Sequence, residues 1–238
     1  MIDLYYASTP NGWKIAIMCE ECELPYNLIS VNLGKGDQFK PGFLKISPNN
    51  RMPAIVDSDT NISLFESGAI LLYLAEKTGK FIPTDQAGRL NVMQWLFWQV
   101  GGLGPMAGQL SHFVNYAPGG IENHEYSHTR YANEYDRLFA VMERSLVDNE
   151  YLAGDYSIAD IASWPWVVPY KRFGQAMDNY PGVRRWFDAI KQRPAVRKAM
   201  DQAKSLQQPR GEMTEEQRKM MFSQNGQSIT QAAEDAER

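Results

Sequence analysis

The chain has 238 residues, 44% hydrophobic and 22% charged, with a formal net charge of −4 and two cysteines. That length allows one large or two small domains with a substantial core, and the acidic balance argues against nucleic acid as the main partner, since backbone binding needs clustered Lys and Arg. No run approaches the roughly 18 apolar residues of a membrane span, Met1 leads straight into a strand, and two cysteines make no disulfide framework, so the reducing cytoplasm is the expected compartment.

The first apolar strand, residues 2–6, runs into Ser8-Thr9-Pro10-Asn11-Gly12 and then into helical spacing over 12–23. Thioredoxin-like folds carry their sulfur chemistry at such a strand-to-helix turn, where a helix N-terminus offers free N–H groups and partial positive charge. Here the turn holds hydroxyls and an amide but no cysteine, so a reactive sulfur would have to arrive with a ligand. Further β-enriched runs at 27–33, 54–57 and 61–65, and a helix over 66–77, complete a βαβ–ββα order with parallel pairing first and a hairpin second. Asp57-Ser58-Asp59-Thr60-Asn61 supplies the hairpin turn. Gly79 to Ala87 reads as a linker, giving a first domain over 1–80.

Beyond it the pattern is helical, over 87–115, 123–148, 157–172, 181–192 and 194–206, an all-α second domain spanning 87–206. Gly101-Gly102-Leu103-Gly104-Pro105 predicts a kink or break. Ser157 to Asp160 fits an N-cap with an acid at the third helical position, Tyr156 serving as a staple, and this signal is structural rather than catalytic. Residues 207–238 are a polar tail with a short helix over 214–222; the last dozen residues are expected to be disordered, and the tail is either floppy or a flap across a cleft.

The α/β domain followed by an all-helical one, with Thr9-Pro10-Asn11 at the first turn, resembles the glutathione transferase superfamily. Leu33 to Phe39, Ile46 to Asn50, Phe65 to Ile70, Gln94 to Met106 and Tyr156 to Ala162, in that order and spacing, resemble its Nu class. These are bacterial glutathione-dependent disulfide-bond oxidoreductases related to the yeast prion-forming nitrogen regulator. The likeness spans about residues 1–205.

The resemblance implies a role for each matching residue. Glu66 would pair with the ammonium of glutathione, and the N–H and hydroxyl of Ser67 would cradle the neighbouring carboxylate at a helix N-terminus; a helix-opening capping box is the plainer reading of the pair. Pro53 would be cis, with Met52 meeting the ligand through its backbone. Gln38 would meet the glycine end. Lys35, Lys40 and Arg51 would add positive potential, although isolated lysines are usually solvated. Thr9 and Asn11 would stabilise the thiolate, which needs about 2.7 kcal/mol of selective anion stabilisation to lower a thiol pKa by about 2 units. Thr9 also fits a simple helix cap, and Ser8 is the competing hydroxyl. Tyr5 and Tyr6 read as core or interface. Arg130 would reach a ligand across a homodimer interface, or lie solvated.

Cys19-Glu20-Glu21-Cys22 spells a redox motif, but it starts about two turns into its helix, where the dipole disfavours a thiolate, so both thiols read as structural. Trp95, Phe97 and Trp98, with Trp164 and Trp166, read as packing rather than a substrate box. His112, His124 and His128 lack a recognisable metal pattern, and no metal is expected. The reading is a dimeric glutathione-dependent disulfide reductase, with no nucleic-acid or membrane partner. Glutathione acts as co-substrate, and the other substrate is a small-molecule or peptide disulfide. A conjugating transferase and a non-catalytic glutathione-binding regulatory module are the alternatives.

Overall fold

The computed structural model describes residues 1–206 and 213–237. It forms two compact units: Met1–Tyr73 together with the described residues from Lys198 onward, and Leu74–Arg197. These units divide within helices, whereas the sequence places its boundary in the segment near Gly79 and its tail boundary at residue 207, which lies outside the described residues.

In the first unit, β1 (Ile2–Tyr6), α1 (Pro10–Glu21) and β2 (Tyr26–Ser30) form the expected βαβ, followed by two 3-10 turns (Leu33–Lys35 and Asp37–Phe39) and α2 (Pro41–Leu44). Then come β3 (Ala54–Asp57), β4 (Ile62–Phe65) and α3 (Ser67–Thr78). The sheet order is β2-β1-β3-β4, with β1 parallel to β2 and antiparallel to β3, and β3 antiparallel to β4. This is the mixed four-stranded sheet that the sequence implies. At the hairpin turn Asp57 Oδ1 accepts from the Asp59 N–H at 3.0 Å, and Asn61 sits at φ +55°, a position that asparagine tolerates.

Two boundaries shift for local reasons. Helix α1 starts at Pro10 rather than residue 12, because proline suits the first helical position and Thr9 caps it. Strand β2 stops at Ser30 rather than 33, because the Asn32 side chain accepts from the Lys35 N–H at 3.1 Å and its own N–H donates to Asp37 Oδ2 at 2.8 Å. Local side-chain bonds thus replace the ladder.

The second unit is helical. It contains most of α4 to α9: α4 (Gln86–Trp98), α5 (Gly104–Asn115), α6 (Glu125–Leu146), α7 (Ile158–Val167), α8 (Pro181–Gln192) and α9 (Pro194–Ser205), the last continuing into the first unit. The break expected at Gly101 to Pro105 is a π-helical turn over Gln99–Leu103, with Pro105 in the first turn of α5. Helix α7 ends five residues short of the expected 172, since Pro169 has no N–H to continue it. The capping box at Ser157 and Asp160 is present; the Tyr156 ring lies against Phe81 and Tyr151. Trp164 is buried with its indole N–H on the Phe187 carbonyl at 3.1 Å, and Trp95 meets Trp98 edge-on, as packing requires.

The tail corrects the sequence reading. The short helix expected over 214–222 is α10 (Glu215–Phe222), and beyond it α11 (Gly226–Glu237) is helical where disorder was expected. Each helix opens on a reciprocal pair: Thr214 with Gln217, and Asn225 with Ser228. Helix α10 packs on the Leu33–Lys35 turn and α11 on α2, leaving a cavity of about 660 Å³ bordered by Gly36, Phe39, Met220 and Ala232. Composition hid this because the caps and a few apolar contacts, rather than an apolar majority, specify the helices.

Candidate functional site

The first unit brings the expected residues onto two helix starts. At the first, β1 turns into α1 with Thr9 as N-cap, its Oγ1 accepting from the Gly12 N–H at 3.4 Å and donating to the Met52 thioether sulfur at 3.3 Å. Gly12 is required by closeness: a Cβ there would lie 2.3 Å from the Ala7 carbonyl oxygen and 3.1 Å from the Met52 methyl. The turn is therefore locked against the Met52 segment. Met52 itself belongs to a buried cluster with Val31, Phe43 and Ala54, against which Tyr5 packs. The Met52–Pro53 peptide is cis.

Thr9 therefore caps its helix and also holds a hydroxyl hydrogen on sulfur, a weak acceptor. Ser8, the competing hydroxyl, is differently committed. It donates to the Ala203 carbonyl at 3.0 Å and accepts from the Trp13 indole at 3.3 Å. Tyr6 is buried, and burial pushes its phenol pKa up, which fits a core role. Asn11 follows Pro10 in the first turn of α1 and is partly exposed.

At the second helix start, Glu66 joins β4 to α3 with φ +70° and is exposed, while Ser67 opens α3 and is buried. The Asn49 amide donates to Glu66 Oε1 at 3.1 Å. Beneath them lies a residue that the sequence reading missed. Lys14 on α1 is 2% exposed and donates from Nζ to Ser67 Oγ at 3.1 Å. Burial pulls its ammonium pKa down to about 7, while the Glu66 carboxylate pulls it upward. A signal was available: Lys14 is the only charged residue in Trp13 to Cys19, and Ile15 to Cys19 are all buried, so its helix offers it little solvent.

Other expected residues fall elsewhere. Gln38 is 2% exposed, its amide donating to the Leu33 carbonyl at 3.3 Å, so its side chain does not face solvent. Lys40 pairs with Asp37 at 2.7 Å, whose carboxyl pKa that bond lowers, and Lys35 is exposed. Arg51 is exposed, its carbonyl accepting from Ser47 Oγ at 2.8 Å. In the second unit, Arg130 lies on α6 with its side chain 58% exposed and 3.8 Å from Glu134.

Cys19 and Cys22 are both buried and unbonded to each other, far along α1 from the Thr9 turn. Burial pushes the Cys19 thiol well up, the reverse of what a reactive thiolate needs. The described residues hold no group of three or more His, Cys, Asp or Glu placed to bind a metal, and no described helix is long and apolar enough to cross a membrane.

Two family models match the chain: glutathione S-transferase, N-terminal domain, over residues 2–76, and glutathione S-transferase, C-terminal domain, over 110–194. The chain is 53% identical over 206 residues to the disulfide-bond oxidoreductase YfcG of Escherichia coli, covering 84% of this chain and 94% of that one. A solved glutathione transferase from Burkholderia graminis, with two glutathione molecules bound per subunit, is 43% identical with a TM-score of 0.77, covering 84% of this chain and 87% of that one. One from Pseudomonas putida, with one glutathione disulfide bound per subunit, is 40% identical with a TM-score of 0.79, covering 84% and 90%.

Proposed function

The chain belongs to the glutathione S-transferase family, and from that premise we propose that this enzyme reduces disulfides with glutathione, in the manner of the Nu class. One observation carries the reading: the turn that opens α1 presents Thr9 and Asn11 with no cysteine, while both cysteines of the chain are buried elsewhere. The reacting sulfur is then the ligand's.

In the proposed reaction, bound glutathione thiolate attacks one sulfur of a disulfide. A sulfur–sulfur bond forms as the old one breaks, and the departing thiolate takes a proton from solvent. A second glutathione thiolate attacks the mixed disulfide and releases glutathione disulfide and the second thiol. The substrate disulfide gains two electrons, which two glutathiones supply. The Burkholderia graminis relative holds two glutathiones and the Pseudomonas putida relative holds glutathione disulfide, matching the reductant and the oxidised product of the overall reaction.

The geometry supports a role for several of the residues that the resemblance singles out. Thr9 Oγ1 accepts from Gly12 N–H and donates its own hydrogen to the Met52 thioether, a bond that it can exchange for one to an incoming thiolate, a far better acceptor. Asn11 adds an amide donor, and the start of α1 adds partial positive charge. Ser8 is committed to Ala203 and Trp13, which favours Thr9 as the catalytic hydroxyl. Glu66 and Ser67 take the γ-glutamyl end, the Met52 backbone beside Pro53 takes the peptide, and Arg51 adds charge. Gln38 would take the glycine end only after its side chain left its buried position.

We assign a homodimer with Arg130 reaching the neighbouring site. Leu90 and Phe97, seven residues apart on one face of α4, are both exposed, and Tyr126 on α6 is 82% exposed; large apolar side chains left in the open suit a partner. Two free cysteines agree with a cytoplasmic setting. The test is glutathione-dependent reduction of hydroxyethyl disulfide coupled to glutathione reductase, beside conjugation of a chloronitrobenzene. Fast reduction with weak conjugation is expected. The reverse pattern would make the enzyme a conjugating transferase, and glutathione binding without either activity would make it a regulatory module.

A further inference from the structure

A lysine inside an apolar helix is costly unless its charge is used. Lys14 lies beneath the start of α3, its Nζ 3.1 Å from Ser67 Oγ, with the exposed Glu66 carboxylate next in sequence to that serine. An ammonium has hydrogens and no acceptor, so Ser67 Oγ is the acceptor in this bond. The hydroxyl keeps its own hydrogen for donation, and the bond fixes the direction in which that hydrogen can point.

We propose that Lys14 is a positioning residue of the site. Its buried ammonium orients the Ser67 hydroxyl as a donor and supplies the full positive charge that selects an α-carboxylate at the start of α3. Ligands with a free α-amino acid head, as in a γ-glutamyl group, would be chosen over ordinary peptides. Glu66 meets the ammonium of that head from one side while Lys14 answers its carboxylate from beneath. The inference rests on the glutathione reading and deepens it.

The helix start alone would supply only partial charge, equivalent to about half an elementary charge. Lys14 adds a full one, close to the bound anion and in a setting where screening by water is weak. A carboxylate seated there would in turn raise the pKa of the ammonium, which burial, partly offset by Glu66, lowers to about 7. Ligand and lysine thus stabilise one another's charge.

The experiment measures calorimetric affinity for two thiol-free probes, S-methylglutathione and the S-methyl form of γ-aminobutyryl-cysteinyl-glycine, which lacks the α-carboxylate. Wild-type protein is expected to prefer S-methylglutathione strongly. Lys14→Met is expected to weaken S-methylglutathione by roughly tenfold or more, the scale of a hydrogen bond to a charged group, and to leave the second probe unchanged, so that the preference collapses. Lys14→Gln removes the charge and keeps an N–H donor; it is expected to lose most of the preference, and it carries the test should the Met variant not fold. A purely structural lysine would lower both affinities in parallel. A folded variant that keeps the wild-type ratio overturns the proposal. Wild-type protein that binds neither probe overturns the glutathione reading itself, a different and separately visible result.

Discussion

Two helix starts in this molecule bury a charge, and they differ in what the charge meets. At the start of α7, both oxygens of Asp160 are taken: Oδ1 accepts from the Leu152 N–H at 3.0 Å and the Trp186 indole at 2.8 Å, and Oδ2 accepts from the Ser157 N–H at 3.0 Å and hydroxyl at 3.2 Å. At the start of α3, Lys14 reaches a serine whose hydrogen is still to be placed. The first charge is consumed in holding a loop, a helix and a tryptophan together. The second is passed through a hydroxyl toward whatever arrives. Equal burial therefore says little about function; what the partners are and where they point decides it.

The largest effect expected from this contrast is on stability. Asp160→Ala strands several buried donors and should cost about 3–5 kcal/mol, measured by urea unfolding. A cost under about 1 kcal/mol would mean that the Asp160 network is not what holds this start together. Because burial raises the Asp160 pKa to about 6 from 3.8, the folded chain keeps a proton that the unfolded chain has released between those values. This group's contribution to stability therefore falls as pH rises across that window.

Next in size is Thr9→Ala, expected to lower kcat/KM for disulfide reduction by roughly 10–100-fold with the fold intact, the scale of one hydrogen bond to an anion. Ser8→Ala should change it far less, and equal losses would erase the distinction between the two hydroxyls. For Lys14, the ammonium is charged in folded and unfolded chains below pH about 7, and between about 7 and 10.5 the unfolded chain holds the extra proton. Lys14's contribution to stability should therefore rise with pH across that window, and the difference between wild type and Lys14→Met should carry that slope. An unchanged slope in the variant would show that Lys14 does not titrate there. The smallest effect is expected from Cys19→Ser/Cys22→Ser: modest destabilisation from placing hydroxyls in apolar surroundings, with disulfide reduction retained. Loss of reduction in that folded variant would move the reacting sulfur onto the protein.

What the sequence disclosed, and what it withheld, follows the same line. The strand–turn–helix around Thr9, the hairpin turn at Asp57 to Asn61, the Ser157–Asp160 box and the break near Gly101 are written in neighbouring residues, so local patterns suffice to read them. Cys19 and Cys22 were legible as inert from their distance along the helix. Lys14 stands out in its helix as a lone charge, but its role was not legible, because the serine it bonds opens α3, 53 positions away. The burial of Gln38 and the folding of α10 and α11 against the 33–44 segment are also long-range outcomes, which polar composition conceals.

The first unit is built from both ends of the chain: Ser8 donates to the Ala203 carbonyl, Tyr26 to Gln202, and Lys198 pairs with Glu20. A ribosome releases Leu74–Arg197 whole before it delivers those late partners. The helical unit is therefore expected to close during translation, while the residues around Thr9 wait, incompletely bonded, for the last helices to emerge.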